Sequence, residues 1–159
     1  MRLITEAQAR AQTHSDGVDE AMLEIYAGAA EENAQSFLNR RVFVDESEMS
    51  SAVSALPAYL ASADDAYDAA VEAASDLEGS ARCAAEDAAC RAREAARTFA
   101  RETYDGIVVN DAIRAGVLLW LAHLYRNRED VVTGQGAAAV QIPIGAHYFL
   151  WPYRVGIGV

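Results

Sequence analysis

Val53, Leu56, Leu60, Ala63, Tyr67, Ala70, Ala74 and Leu77 are spaced 3, 4, 3, 4, 3, 4 and 3 residues apart. This heptad stripe commits the segment to a long helix with one seam turned toward a partner. A second stripe follows at Ala81, Ala84, Ala88, Ala92, Ala95 and Phe99. The two helices, joined at Glu78-Gly79-Ser80, predict an antiparallel hairpin over residues 46–105 whose small side chains allow close approach. Pro57 either kinks the first arm or marks its true start, with residues 45–56 forming a separate short helix. Nineteen of residues 46–105 are alanine, and 13 acids stand there against five arginines, which places −8 of the chain's net −11 in this segment. Alanine seams bury little area. The hairpin is therefore expected either to lean on a neighbouring chain or to stand as a flexible projection.

A chain of 159 residues suits one compact domain, or a small domain carrying an embellishment. The 52% hydrophobic content excludes an ordinary disordered chain, although 34 residues of that share are alanine. A surface this acidic does not grip nucleic acid, because phosphate binding needs clustered basic side chains. The longest strongly apolar stretch, residues 115–124, is too short to span a bilayer. The start MRLITEAQARAQ lacks the apolar run of a secretory signal. Cys83 and Cys90, seven residues apart on one helix, lie about 10 Å apart, too far for a disulfide, and read as small apolar helix residues in a reducing compartment. The chain is expected to be soluble and intracellular while it is made, with no membrane partner.

The flanking segments also read as helical. Residues 3–12 form a short helix with Thr5 as its N-cap, and His14-Ser15-Asp16-Gly17 is turn chemistry. A stronger helix is expected over residues 19–38, with Met22, Ile25, Ala29 and Phe37 inward and Glu20, Glu24, Glu31 and Glu32 solvated. Residues 41–44 read as a short extended segment, as do 107–109. Asn110 or Asp111 then caps the most hydrophobic helix, residues 112–126, with Ile113, Val117, Trp120, Leu121 and Leu124 at helical spacing. A loop opens at Thr133-Gly134-Gln135-Gly136. Gln141-Ile142-Pro143 reads as a strand or arm leading into a dense aromatic ending. The fold class is thus all-α: a small helical bundle (1–45 and 107–159) with an inserted Ala-rich antiparallel helical hairpin (46–105) and an extended aromatic C-terminal arm.

No constellation for catalysis emerges. His123, beside Trp120 and Leu124, lacks a nucleophile placed near it and reads as a core or boundary histidine. Neither His123 nor His147 follows the Glu-x-x-His pattern of a di-iron bundle. The two cysteines lack Cys-x-x-Cys spacing. Asp64-Asp65-Asp68 reads as a solvated face. Gly134-x-Gly136 and Gly156-x-Gly158 lack a phosphate-loop context. The expectation is a protein without catalytic, cofactor-binding or metal-binding residues and with no cofactor.

Three segments, in this order, resemble the phage head–tail connector (adaptor) proteins: Leu3-Ile4-Thr5-Glu6-Ala7 with the helix ending Phe37-Leu38-Asn39-Arg40-Arg41; residues 113–129, with His123-x-Tyr125-x-Asn127-Arg128-Glu129 after an apolar helix; and residues 142–154, ending Pro152-Tyr153-Arg154. The resemblance covers roughly residues 1–45 and 107–155; the hairpin is longer than in the family's simplest members. It implies a structural part of the virion neck, present in the host cytoplasm during assembly. Its partners would be the portal protein, a tail-side completion or tail terminator protein, and itself in a ring, commonly a dodecamer, around a DNA channel. DNA would pass without specific binding. Ile142, Pro143, Phe149, Leu150, Trp151, Pro152, Tyr153 and Arg154 are the expected interface with portal or neighbouring subunit, since Trp, Tyr and Arg dominate binding hot spots; for Phe149 and Leu150 an intramolecular cover over the core helix is the equal alternative. Arg126, Arg128 and Glu129 are either inter-subunit ion pairs or a local helix end. Two rival readings stand: a non-viral coiled-coil interaction module that binds a protein partner through the 46–105 hairpin, and a small helical enzyme using His123, which the missing partner groups disfavour.

Overall fold

The computed structural model describes residues 1–14, 20–127 and 144–156. The elements run α1 (Glu6–Thr13), α2 (Glu20–Leu38), β1 (Val42–Phe43), α3 (Glu46–Ala74), α4 (Gly79–Tyr104), β2 (Ile107–Val108), α5 (Asp111–Arg126), α6 (Ile144–Leu150) and a 3-10 turn at Trp151–Tyr153. Helices dominate, and the fold is all-α. The chain divides into two compact units, Met1–Asp45 with Ile107–Val159, and Glu46–Gly106.

In the first unit, local chemistry sets the helix starts. The Thr5 hydroxyl accepts from the Gln8 N–H (3.2 Å) while the Gln8 side chain accepts from the Thr5 N–H (2.8 Å), a reciprocal capping box at α1. Asn110 caps α5 by accepting from the Ile113 N–H at 2.9 Å. Helix α5 packs against α1, α2 and α6, and its residues Ile113, Val117, Trp120 and Leu121 form the centre of the core. The two short strands pair in parallel, with Val42 opposite Ile107 and Phe43 opposite Val108. They join the segments on either side of the hairpin.

Helix α2 buries a different face from the one expected. Leu23, Ala27, Ala30, Ala34 and Leu38 are inward, whereas Met22 and Ile25 are 42% and 62% exposed. The reason is volume. The bulky residues of α5 need small partners on the facing helix to reach interior packing density, so alanines win the inward positions over larger apolar side chains. Glu31, expected in solvent, is buried. Its carboxylate accepts the backbone N–H groups of Arg2 (2.8 Å), Leu3 (2.7 Å) and Ile4 (3.3 Å), tying the N-terminal segment across α2. Replacing Glu31 by alanine leaves these donors unpaired in the interior. The variant is expected to lose about 2–4 kcal/mol of unfolding free energy, and Glu31→Gln about half of that, as read by chemical denaturation.

The second unit is the two-helix hairpin. Helix α3 runs unbroken through Pro57, whose ring is exposed; one missing hydrogen bond does not end a 29-residue helix packed along α4. The arms are joined by residues 75–78, and Gly79 opens α4 at φ +57°, in the left-handed region that glycine enters without strain. The seam of α3 includes buried Leu56 and Ala74 from the expected stripe, but α4 turns a different stripe inward. Ala89, Ala96, Ala100 and Thr103 are buried, while Ala81, Ala84, Ala88, Ala92, Ala95 and Phe99 are exposed. The seam thus sits one residue, or about 100° of helix rotation, from the stripe read in sequence. Alanine occupies both stripes, so hydrophobicity alone does not choose between them. The flank polar contacts favour the observed rotation: Arg97 reaches Asp64 at 3.7 Å, and Arg93 lies 3.6 Å over the Tyr67 ring. Both cysteines are free and exposed. Two neighbouring substitutions test the register by thermal melting: Ala89→Glu buries an unpaired charge and is expected to cost at least about 2 kcal/mol, whereas Ala88→Glu stays within about 0.5 kcal/mol.

Candidate interface at the C-terminal segment

The C-terminal segment is not an extended arm. Residues 144–150 form α6 and lead directly into the 3-10 turn. The physical reason is an i, i+4 apolar pair: Ala146 and Leu150, both fully buried, occupy one face of α6 and dock it on α5. Pro152 lies in the first turn of the 3-10 element, where its missing N–H is not needed.

Gly116 makes the docking close. A Cβ at that position would lie 2.8 Å from Leu150 Cγ and 2.9 Å from Leu150 Cδ2, nearer than side-chain carbons approach. Leu150 therefore fills the space that the missing side chain leaves on α5. Around this seat the aromatic side chains interlock. His147 stacks on Phe37 with ring centres 4.4 Å apart and planes 6° from parallel, and Trp120 sets its edge against both rings at 6.3 and 5.8 Å. Arg154 places its guanidinium carbon 5.1 Å from the Phe37 ring centre and 5.8 Å from that of Trp151. Three hydrogen bonds tie the segment to the end of α2: Val155 N–H to the Leu38 carbonyl (2.9 Å), Asn39 Nδ2 to the Val155 carbonyl (3.2 Å) and Arg40 Nη1 to the Tyr153 carbonyl (3.2 Å).

Locking one face of α6 inward fixes what the other displays. Tyr148 is 79% exposed, Trp151 52% and Phe149 39%, with Pro152 exposed beside them. His147, Tyr148, Trp151 and Pro152 line an open depression of about 450 Å³. A second cleft, of about 520 Å³, lies between α2, α5 and α6, walled by Phe37, Trp120 and His147 and rimmed by Asn33, Ser36 and His123. The His123 ring there faces Asn127 Nδ2 at 3.2 Å. Among the described residues no group of three or more His, Cys, Asp or Glu side chains is placed to hold a metal ion, and no helix is long and apolar enough to cross a membrane.

Of the interface residues expected from sequence, Phe149, Trp151 and Pro152 stand on the surface together, while Tyr153 and Arg154 are half-buried against the core. Of the two readings open for Leu150, the intramolecular one holds: it is an internal anchor with no exposed surface. Arg126 is exposed in the last turn of α5, where a cation suits the negative helix end. Ile142, Pro143, Arg128 and Glu129 lie outside the described residues, as does the 133–136 loop. Sequence reasoning passed over Tyr148, the most exposed ring of the segment, and Gly116. The spacing of Ala146 and Leu150 was the available signal, because it alone determines which side of α6 turns outward.

No protein-family model matches the chain, and no curated protein or solved structure is found similar to it.

The seat is testable by a double-mutant cycle. Gly116→Ala is expected to cost about 1–3 kcal/mol by overpacking and Leu150→Ala about 2–4 kcal/mol by leaving a void. The double variant should be less destabilised than the two losses added together, since the alanine at 116 then occupies the vacated space; strict additivity in denaturant unfolding would show that the two positions are independent.

Proposed function

We propose that this chain is a structural head–tail connector of a tailed phage, forming a ring that joins the portal to the tail around the DNA channel. The observation that carries the reading is the rigid display of Tyr148, Phe149, Trp151 and Pro152 on a segment held by Leu150 and the Phe37–His147 stack. Contiguous exposed aromatic surface marks a protein-binding site, and rings held in one orientation bind at lower entropic cost than rings on a free tail. The sequence likeness of residues 1–45 and 107–155 to connector proteins supports the same function, as does the all-α bundle that carries the segment. The net charge of −11 suits a channel lining: carboxylates repel the phosphate backbone and let DNA pass without being held.

Electron microscopy of the chain mixed with the portal protein of the same genome tests the proposal. A second ring beneath the portal, with matching rotational order, is the expected result; a bare portal at every concentration would sink it. Trp151→Ala combined with Tyr148→Ala is expected to abolish the ring while far-UV circular dichroism stays unchanged, because both side chains are exposed. Tyr153 is a poorer choice for this experiment, as it packs against the core.

One observation favours a second reading, a coiled-coil interaction module working through the hairpin. The stripe Ala81, Ala84, Ala88, Ala92, Ala95 and Phe99 is exposed, and Phe99 meets the exposed Tyr59 ring at 5.2 Å. Deleting residues 50–103 discriminates between the two: a connector keeps its fold and portal binding, whereas a hairpin module loses its partner.

A further inference from the structure

The open depression at Tyr148, Trp151 and Pro152 and the cleft between α2, α5 and α6 share one wall, the side chain of His147. That wall is held in place, because the His147 ring stacks on Phe37 at 4.4 Å. The result is a pair of aromatic-sided hollows, of about 450 and 520 Å³, divided by a single ridge.

The chemistry of the walls narrows what fits. Although the chain has 24 acids, no carboxylate among the described residues lines either hollow. Four neutral groups there can donate: the Trp151 indole N–H, the Tyr148 hydroxyl, the Asn33 amide and the Ser36 hydroxyl. None of the four has a side-chain hydrogen bond to another described residue. The complement of such walls is apolar, uncharged and rich in acceptors. A proline-rich segment meets all three terms. Proline has an apolar ring and no N–H, and the polyproline II conformation leaves every carbonyl free to accept. That conformation has three residues per turn, so positions i and i+3 project on the same side, about 9 Å apart. Two hollows separated by one ring suit this period, with a proline in each and the ridge between them. Aromatic-lined grooves are the general means of binding such segments. A helical partner would bring carbonyls already bonded, and a basic one would find no carboxylate to pair with.

We propose that the Tyr148–Trp151 depression and the adjoining Phe37–Trp120 cleft bind a proline-rich segment of a partner protein, in the polyproline II conformation, straddling His147. The inference deepens the connector reading by naming the chemistry of the segment bound. It rests on that reading only for the patch being a protein-binding face.

Isothermal titration of the full chain with a blocked decaproline peptide tests it, beside a Gly-Ser peptide of equal length that lacks the fixed conformation. Decaproline is expected to saturate at one peptide per chain with Kd on the order of 0.1 mM, and the Gly-Ser peptide not to bind. Tyr148→Ala and Trp151→Ala, both at exposed positions, should each weaken binding about tenfold without changing the melting temperature. Asn33→Ala combined with Ser36→Ala, both exposed across the ridge, should weaken it about fivefold. Tyr104→Ala removes an exposed ring from the hairpin and should leave the affinity as it was. A titration flat to about 5 mM overturns the proposal. So does a Gly-Ser peptide that binds as well, an unaffected Asn33–Ser36 double variant, or a Tyr104→Ala loss matching that of Trp151→Ala. Should a ring form beneath the portal while decaproline neither binds nor displaces it, the proposal falls and the connector reading stands. Should decaproline bind as expected while the portal stays bare, the proposal stands and the connector reading falls.

Discussion

The C-terminal half of the core depends on a side chain that is not there. Gly116 lets Leu150 sit against the backbone of α5, and the position of α6 follows from that contact. With Leu150 and Ala146 inward, the remaining faces of a single short helix are determined: His147 turns onto Phe37, and Tyr148 and Phe149 turn outward. A seven-residue helix has little stability of its own. Its conformation is imposed by packing, with the three hydrogen bonds to the end of α2 closing the segment behind it.

The same packing logic separates what was legible in the sequence from what was not. Capped helix starts were legible because Thr5 with Gln8, and Asn110 with Ile113, act through bonds made within one turn. The central helix α5 was legible because its bulky residues recur at helical spacing. The inward face of α2 was not, since it depends on which side chains fit beneath Trp120 and Val117, a property of the partner helix. The rotation of α4 failed for a related reason: alanines at 84 and 85, 88 and 89, and 95 and 96 offer two seams of equal hydrophobicity. In the C-terminal segment, aromatic density singled out Phe149, Trp151 and Pro152, which are exposed, but density does not tell an anchor from a displayed ring. Leu150 and Tyr148 exchange roles once the i, i+4 pairing is taken into account.

Charge is distributed unevenly between the units. Residues 46–105 hold −8 of the net −11, and within them one arm is wholly acidic while the other carries all five arginines. Only part of this is neutralised inside the hairpin, through Arg97 with Asp64 and Arg82 with Glu86. Surface pairs of this kind contribute little to stability, so the cohesion of the arms rests on close alanine packing.

A seam built from a repeat of three and four residues in both arms also restricts how such a hairpin changes in length. Removing or adding one residue in either helix rotates everything beyond it by about 100° and breaks the match between the two arms. Only matched steps of seven residues in α3 and α4 preserve the register, and each step alters the reach by about 10 Å. The hairpin therefore behaves as a ruler with coarse, regular divisions: related chains that must bridge a wider or narrower gap would differ by whole heptads in both arms at once, with the turn at residues 75–78 carried along unchanged.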